Sequence, residues 1–274
     1  MGYFELFGDC YPELQLNREM FVQLLDIGGC TVFEHKENGD IVGFAMVKDN
    51  SLRLICVSEK YRRQGIGSEL LAQAEEHIGK EHNEVILGGA SGLFIGAPVS
   101  KENFGKRSFP FFEKRGYVFD DGCAEMELLL DDFSASHDLP VAGNVTFGYI
   151  DGTSEALKKA VAETVPDWVQ YFGGSKVFCG FCGGEIASFC ITEEWEPSVV
   201  SDGVHRTGAV GCVGTVPRFR RQGIGLKMVA LAAEELKKQG FGKCFIHHTG
   251  VYDWYEKIGC RTVLWELFGK KALS

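Results

Sequence analysis

The sequence lacks the long apolar runs of a membrane protein and the basic surplus of a nucleic-acid-binding one. No stretch approaches the roughly 18 consecutive apolar residues that a membrane-spanning helix needs, and the start, MGYFELFGDC, lacks the basic and then apolar order of a signal peptide. The formal net charge is −10, from 28 Lys and Arg against 38 Asp and Glu, whereas a nucleic-acid interface needs a basic face. We therefore expect a cytoplasmic protein with neither a membrane nor nucleic acid as its partner.

The cysteine pattern offers neither a disulfide framework nor a complete zinc site. Of the ten cysteines, only those of CGFC (Cys179–Cys182) have metal or redox spacing, and no second CxxC completes a four-ligand set. The motif lies in a strand-like run, where positions three apart point to opposite faces. We interpret the cysteines as reduced, mostly buried small hydrophobic residues, and we expect no metal site.

What the sequence does contain is an exact internal repeat. The hexamer RRQGIG occurs at Arg62–Gly67 and again at Arg220–Gly225, and the order of predicted strands and helices around it also repeats. A chain of 274 residues is long enough for two domains of ordinary size. We predict one domain at residues 1–133 and another at 145–274, joined by the polar, aperiodic segment DDFSASHDLPVAGN at 131–144.

Each domain is predicted to be a mixed α/β unit in which the hexamer links a strand to a helix. The segment SELLAQAEEHIGK predicts a helix whose apolar face carries four residues, Leu70, Leu71, Ala74 and Ile78. The first domain is longer by about 15 residues, which we assign to an insertion, SGLFIGAPVSKENFG. It is predicted to end in a strand, turn and strand, YVFDDGCAEMELLL, and the second domain in one strand, RTVLWELF; one hypothesis is that an N-terminal strand, GYFELF, completes the second sheet.

The position of the hexamer is typical of an anion site. The first N–H groups of a helix have no intrahelical partner and face the positive end of the helix dipole. Glycines at 65 and 67, or at 223 and 225, would let a phosphate approach the backbone, and the preceding arginines add charge-assisted hydrogen bonds. The loop is neither a Rossmann turn, since Leu70 and Met228 replace the third glycine, nor a nucleotide P-loop, since it has no GK[ST].

The two halves resemble the GNAT-type N-acetyltransferases in three motifs each. RRQGIG is similar to that family's [QR]-x-x-G-x-[GA], FFEKRGY and WYEKIGC to its FYEKxGF, and VSEKYR and TVPRFR to its VxPxYR. The resemblance implies two tandem units, each a splayed mixed β-sheet flanked by helices (an α/β, or α+β, fold). It also implies acetyl-CoA as the cofactor, with its pyrophosphate on the glycine-rich loop, and transfer of an acetyl group to an amine.

The same resemblance implies the coenzyme contacts. The backbone before each loop, at Val57 and at Thr215 with Val216, would hold the pantetheine arm and the carbonyl oxygen of the thioester. The two loops themselves supply the remaining cofactor-binding residues: Arg62, Arg63, Gln64, Gly65, Ile66, Gly67 and Ser68 in the first, and Arg220, Arg221, Gln222, Gly223, Ile224, Gly225 and Leu226 in the second.

The catalytic acid is expected at Tyr255, because the tyrosine of the family's FYEKxGF motif donates a proton to the departing thiolate. The first unit has Phe112 at that position, and phenylalanine has no proton to give. We therefore predict that the second unit is catalytic and the first a degenerate copy that still binds coenzyme, braces its neighbour or shapes the acceptor pocket. An active first unit is the alternative, since not every member of the family needs the tyrosine. No general base is assigned; the candidates are Glu193, Glu194, Glu196, His205, His247 and His248.

Two functions remain open at this point. The first is an acetyl-CoA-dependent N-acetyltransferase that acts on a small-molecule amine by direct attack through a tetrahedral intermediate. The alternative is a non-catalytic protein that binds acyl-CoA as a sensor or scaffold. The chain is expected to be a monomer, in which the two units form a pseudo-dimer, or a homodimer.

Overall fold

A computed structural model of the chain describes residues 2–89, 92–135, 139–141, 143–174 and 176–273. It divides into two compact units. The first consists of Met1–Ala124, Pro197–Gly203 and Leu264–Ser274, and the second of Glu125–Glu196 and Val204–Val263. The predicted domains were contiguous, whereas these units are each built from more than one segment.

Helices and strands are interspersed along the chain, as expected of a mixed α/β protein. The helices are α1 (Tyr3–Cys10), α2 (Arg18–Leu25), α3 (Ile66–Ile78), α4 (Lys101–Lys106), α5 (Pro110–Glu113), α6 (Glu155–Thr164), α7 (Ile224–Lys238) and α8 (Tyr252–Tyr255). The strands are β1 (Thr31–Glu37), β2 (Asp40–Lys48), β3 (Ser51–Val57), β4 (Glu84–Leu87), β5 (Ala97–Val99), β6 (Val118–Leu129), β7 (Val145–Asp151), β8 (Lys176–Cys182), β9 (Glu185–Glu194), β10 (Thr207–Thr215), β11 (Lys243–Thr249) and β12 (Arg261–Ala272).

In the first unit the strand order is β1-β2-β3-β4-β12-β6, with β5 also paired to β12. The pairs β1–β2, β2–β3 and β4–β12 are antiparallel, and β3–β4 is parallel. The predicted apolar face of α3 is confirmed, because all four of its residues are buried in the core of this unit. Tertiary burial of that stripe, rather than helix propensity, is what stabilises a helix of this length.

The second unit repeats the plan with the order β11-β10-β9-β8-β7. Here β10–β11 is the parallel pair, and β7–β8, β8–β9 and β9–β10 are antiparallel. The helix α7 buries eight of its 15 residues and is the counterpart of α3. Mixed sheets flanked by helices confirm the predicted fold class for both units.

The N-terminal segment is a helix, so the hypothesis that GYFELF forms a strand is wrong. Tyr3, Leu6, Phe7 and Cys10 follow the three- and four-residue spacing of a helix face, and Leu6 and Phe7 are completely buried. The hypothesis rested on the strand pairing that usually orders a terminus, but the spacing of the buried residues in this segment is that of a helix. This helix belongs to the first unit.

The first domain was also predicted to end in a strand, turn and strand, and this too is wrong. Residues 118–129 form one continuous strand, β6. The glycine in its DDG sequence marks a close approach rather than a turn, because a Cβ at Gly122 would overlap the carbonyl oxygen of Glu266 on β12. The C-terminal strand, from Leu264 onward, therefore belongs to the first unit and pairs with β4 and β5.

The predicted insertion contributes structure of its own. It contains β5, whose Ala97 and Val99 pair with Leu267 and Trp265 of β12, and most of α4. Residues 90 and 91 of this region lie outside the described residues. Among the described residues, none of the helices is both long enough and apolar enough to span a membrane.

Candidate active site

The two copies of the hexamer fold into the same loop. In the first, the Nε of Arg62 donates a hydrogen bond to the carbonyl oxygen of Val57 over 3.0 Å. In the second, Arg220 makes the same bond to Thr215, also over 3.0 Å. Each arginine thus ties the end of its loop back to the strand that precedes it.

The backbone angles of the two copies also agree. Arg63 and Arg221 have positive φ angles of 65° and 64°, and Gly65 and Gly223 have φ angles of 94° and 77°. Glycine adopts this left-handed conformation without strain, whereas other residues reach it only at a cost. Gly65 and Gly223 are the N-cap residues of α3 and α7, and neither has a side chain that could accept from the first N–H groups of its helix.

The surroundings of the two loops differ. A Cβ added at Gly65 would meet no atom of the described residues within 4 Å. A Cβ at Gly223 would overlap the carbonyl oxygen of Pro140 and lie 3.6 Å from the Cα of Val141. The linker therefore covers the second loop with a backbone oxygen, which carries the same sign of partial charge as a phosphate oxygen.

A cavity of about 740 Å³ lies in the first unit, and the first loop forms part of its wall. Its lining includes five cationic side chains, Arg53, Arg62, Arg63, Lys114 and Arg115, and no carboxylate among the described lining residues. Residues 1–144, which include all the described lining residues of the cavity, carry 24 Asp and Glu against 13 Lys and Arg. A cationic cavity in so acidic a segment has the electrostatics of an anion site.

The cavity extends into a split between two parallel strands. β3 and β4 pair at Ser51–Ile86 and Leu52–Leu87, and the rest of β3, residues 53–57, lines the cavity. The opposite wall includes Gly88 and the segment 96–98. Strands that separate in this way expose backbone N–H and C=O groups, which an amide-containing ligand can bind.

Most of the predicted residues of the first loop line this cavity: Val57, Arg62, Arg63, Gly65, Gly67 and Ser68. Two do not. Gln64 donates to the carbonyl oxygen of Lys60 over 3.1 Å, and Ile66 is buried in the core. These two residues fix the shape of the loop.

Residues of the FFEKRGY motif line the cavity together with the first loop. The guanidinium of Arg115 lies 4.1 Å from the centre of the Phe111 ring and donates to the hydroxyl oxygen of Ser68, the third residue of α3. Phe112, where the family motif has tyrosine, is 3% exposed. Sequence analysis did not assign Lys114 and Arg115 to the site, although their charge and their place in the motif could have suggested it.

Tyr255 lies in an apolar environment in the second unit. It is 5% exposed, and burial, followed by the nearby thiols of Cys190, Cys260 and Cys244, raises the pKa of its hydroxyl far above 10. A phenol with a raised pKa is a weaker acid, and a buried one needs an approach path for the thiolate. Its assignment as the catalytic acid stays a prediction.

The backbone positions predicted beside the second loop are partly occupied. The N–H of Val216 donates to the carbonyl oxygen of Ala187 over 3.0 Å. A Cβ at Gly225 would lie 2.6 Å from the hydroxyl oxygen of Thr215 and 3.5 Å from the Trp254 ring. The second loop is thus closed in by Thr215, Trp254 and the linker.

The candidate bases are scattered over the second unit, and most already have partners. Glu194 pairs with Arg206 at 2.9 Å, Glu196 accepts from the N–H of Thr207, and His205 lies 3.4 Å from Asp131. Burial raises the pKa of Glu193. None of these contacts brings the candidates together.

His247 is the most organised of them. Its Nδ1 lies 2.9 Å from a carboxylate oxygen of Glu125, which is 2% exposed and also accepts from the N–H of His248. Trp195 and Phe245 pack against the imidazole, with ring centres 5.5 and 5.4 Å away. A carboxylate on Nδ1 orients a histidine so that Nε2 faces outward, as a general base requires.

Two cysteines that sequence analysis did not single out line the cavity of the first unit. The thiol of Cys10 donates to the carbonyl oxygen of Val57, the residue after Cys56, over 3.6 Å, and its sulfur lies 3.9 Å from the guanidinium of Arg62. By contrast, burial raises the pKa of Cys179 in the CGFC motif to about 12. Cys10 and Cys56 are 46 residues apart in the sequence, so no local pattern predicts their contact.

The fold and the loop define a class of mixed α/β proteins with an anion site at the start of a helix beside a split sheet. Family comparison is more specific: residues 27–119 match the acetyltransferase (GNAT) domain, and residues 151–260 match the acetyltransferase (GNAT) family. The chain therefore belongs to the GNAT acetyltransferases and carries two of their domains in tandem. Membership supports acyl transfer with an acyl-CoA as the coenzyme.

Solved structures agree on the fold. The chain is similar to a glucosamine N-acetyltransferase region of a fungal multi-domain GH3 β-N-acetylglucosaminidase, with a TM-score of 0.69, 20% identity, and coverage of 97% of this chain and 36% of that one. It therefore spans about a third of that protein. It is also similar to a GCN5-related N-acetyltransferase from Sphaerobacter thermophilus (TM-score 0.58, 18% identity, 86% and 78% covered) and to a tandem GNAT protein of clavulanic acid biosynthesis (0.51, 13%, 99% and 96%). No curated protein matched the sequence.

Proposed function

We propose that the protein is an N-acetyltransferase that binds acetyl-CoA in the cavity of its first unit and transfers the acetyl group to the amine of a small molecule. The observation that carries this proposal is the cavity itself, with its open glycine-rich loop and five cationic side chains. Sequence analysis favoured the second unit because of Tyr255. The open loop and the cavity favour the first.

The residues of the cavity fit the parts of the coenzyme. The N-terminal N–H groups of α3, together with Arg62 and Arg63, suit a pyrophosphate, and Lys114 and Arg115 add positive charge nearby. The exposed edge of β3, residues 53–57, suits the two amides of a pantetheine arm. Bound acetyl-CoA supplies a thioester whose carbonyl carbon is open to attack by a neutral amine.

A second candidate function rests on the same cavity. Phe112 replaces the tyrosine that would protonate the leaving thiolate, and the described lining residues include no carboxylate that could serve as a base. These features favour a unit that holds acyl-CoA without turnover. Affinity for coenzyme and turnover therefore have to be measured separately.

The discriminating experiment compares two equivalent substitutions. Arg63→Ala and Arg221→Ala remove the same exposed side chain from the two loops, so each is the control for the other. Loss of one charge-assisted hydrogen bond costs about 1.5–3 kcal/mol, or about tenfold or more in affinity. Calorimetric titration with acetyl-CoA should show that loss for Arg63→Ala and an unchanged dissociation constant for Arg221→Ala.

The opposite result would place the coenzyme in the second unit. If the unmodified protein gives no heat of binding with acetyl-CoA, both candidate functions are wrong. Turnover is then measured with a panel of small amines by detecting the thiol of the released CoA. Glucosamine is the first to test, because the fungal structure with this fold is described as a glucosamine N-acetyltransferase region. Tight binding without thiol release from any amine would support the non-catalytic candidate.

A further inference from the structure

Two thiols and one guanidinium meet in the wall of the cavity. Cys10 is the last residue of α1, and Cys56 is the penultimate residue of β3. Cys10 is half-buried, with its sulfur 3.6 Å from the carbonyl oxygen of Val57 and 3.9 Å from Arg62. Cys56 is 1% exposed, and both are free thiols.

The contacts shift the pKa values of the two thiols in opposite directions. The hydrogen bond from Cys56, opposed by burial and assisted by Arg62, lowers the pKa of Cys10 to about 7. Burial and the neighbouring Cys10 raise the pKa of Cys56 well above its usual value. Tyr11 also lies near the two thiols, and burial, the thiols and Glu13 raise its pKa well above its usual value, opposed by Arg62.

We propose that Cys10 and Cys56 form a redox modification site, in which a hydroperoxide oxidises Cys10 and Cys56 then closes a disulfide with it. An accessible thiolate beside a second thiol is the arrangement that such chemistry requires. Both cysteines line the same cavity, and the Cys10 sulfur lies 3.6 Å from the carbonyl oxygen of Val57, the residue next to Cys56; closure would bring the two sulfurs to the S–S bond length of about 2.05 Å.

The reaction balances in two steps. The Cys10 thiolate attacks one oxygen of hydrogen peroxide, the O–O bond breaks, and after uptake of one proton the products are a sulfenic acid and water. The Cys56 sulfur then attacks the sulfenic sulfur and displaces the hydroxyl as a second water, with the Cys56 proton. Two thiols lose two electrons in total, and the peroxide is reduced by two.

The site lies in the wall of the proposed coenzyme cavity, so its coupling to coenzyme rests on the proposed function. A Cβ at Gly67 would lie 3.7 Å from the side chain of Val57, whose carbonyl oxygen contacts Cys10. A coenzyme whose phosphates occupy the first loop would therefore run past Cys10. We expect acetyl-CoA to slow the modification of Cys10.

The test treats the whole protein with hydrogen peroxide and measures its intact mass, followed by peptide mapping without reduction. We expect a loss of two mass units and a Cys10–Cys56 cross-linked peptide, both reversed by dithiothreitol. Cys56→Ser should instead add 16 or 32 units at Cys10, and Cys10→Ser should abolish the reaction. Cys30→Ser is the matched control, because Cys30 is half-buried and burial raises its pKa; its oxidation should match the unmodified protein.

A cross-link between other cysteines, or none, while Cys10 stays reduced would overturn the proposal. Iodoacetamide gives an independent measurement, since alkylation of Cys10 should rise through about pH 7 and be at least several-fold slower with saturating acetyl-CoA. If the disulfide forms but coenzyme gives no protection, the redox site stands and the location of the coenzyme is wrong. If coenzyme binding depends on Arg63 but no disulfide forms, the proposed function is supported and the redox site is wrong.

Discussion

Phe112 and Tyr255 occupy the same place in the two units and differ by one hydroxyl oxygen. That atom led sequence analysis to prefer the second unit, because only a phenol donates a proton. Its surroundings weaken the argument: Tyr255 is nearly as buried as Phe112, and its pKa is raised. The presence of a suitable residue in a motif therefore does not establish that a substrate reaches it.

The first prediction follows from this comparison. If the coenzyme binds in the first unit, Tyr255→Phe removes no catalytic group, and the turnover number should stay within about twofold of the unmodified protein. A general acid contributes about 10²- to 10⁴-fold. A loss of that size, with coenzyme affinity unchanged, would restore the assignment of Tyr255 as the acid; a thermal unfolding scan of the variant provides the control for stability.

A second residue-scale prediction concerns a buried charge cluster in the second unit. Glu127 is 3% exposed and pairs with Arg261 and with Lys243, which is 5% exposed, at 3.4 Å. The Arg261 side chain is 68% exposed, so the buried pair is that of Glu127 with Lys243. Glu127→Gln removes the charge of this carboxylate, and breaking a buried pair costs about 3–5 kcal/mol.

Urea titration should show that decrease in the free energy of unfolding. Glu194→Gln removes an exposed carboxylate paired with Arg206 and is the control, with a cost of about 1 kcal/mol or less. Equal effects from the two variants would show that the buried cluster contributes no more than a surface pair.

At the scale of elements, the sequence predicts the helices, strands and loops that local residue patterns encode. The helix after each hexamer, the strand before it and the loop between them follow from apolar periodicity and from glycines at fixed places. The N-terminal helix was recoverable by the same rule, from the spacing of Tyr3, Leu6, Phe7 and Cys10. The strand hypothesis instead rested on the pairing that would order the N-terminus, and so it was wrong.

The remaining errors concern contacts between residues far apart in the chain, which no local pattern encodes. Gly122 reads as a turn residue, and only the approach of Glu266 explains it. The Pro140 carbonyl over Gly223 and the meeting of Cys10 with Cys56 are likewise products of the tertiary structure. The loops were thus predictable, but which loop is open was not.

A further prediction concerns the C-terminal strand, β12. A chain that ends at Val263 loses the part of β12 that pairs with β4 and β5 in the first unit, together with the ion pair of Lys271 and Glu75. The unpaired edge of β4 should destabilise the first unit and abolish acetyl-CoA binding. A chain that ends at Ala272 keeps every β12 pair with β4 and β5 and should bind normally.

Binding is measured by calorimetry, and the integrity of each unit by limited proteolysis. Cleavage in the truncated chain should begin within residues 27–119. Full binding by the chain that ends at Val263 would show that the strand is dispensable for the cavity.

For the whole molecule, the repeat raises the question of how many coenzymes one chain holds. The loops are equivalent in backbone geometry, yet the Pro140 carbonyl oxygen lies over Gly223 and nothing described lies over Gly65. The Pro140 oxygen takes up space beside Gly223 that a phosphate on this loop would need. The two copies can thus share a structure and differ in occupancy.

We therefore expect one acetyl-CoA per chain in a calorimetric titration. Replacing Leu139, Pro140 and Val141 together by glycine makes the linker more flexible and favours its departure from the loop. The substituted chain should then show a second binding event, weaker than the first because Thr215 and Trp254 still crowd Gly225. Adding Arg221→Ala to that chain should remove only the second event, whereas two equal sites in the unmodified protein would mean that coenzyme displaces the linker unaided.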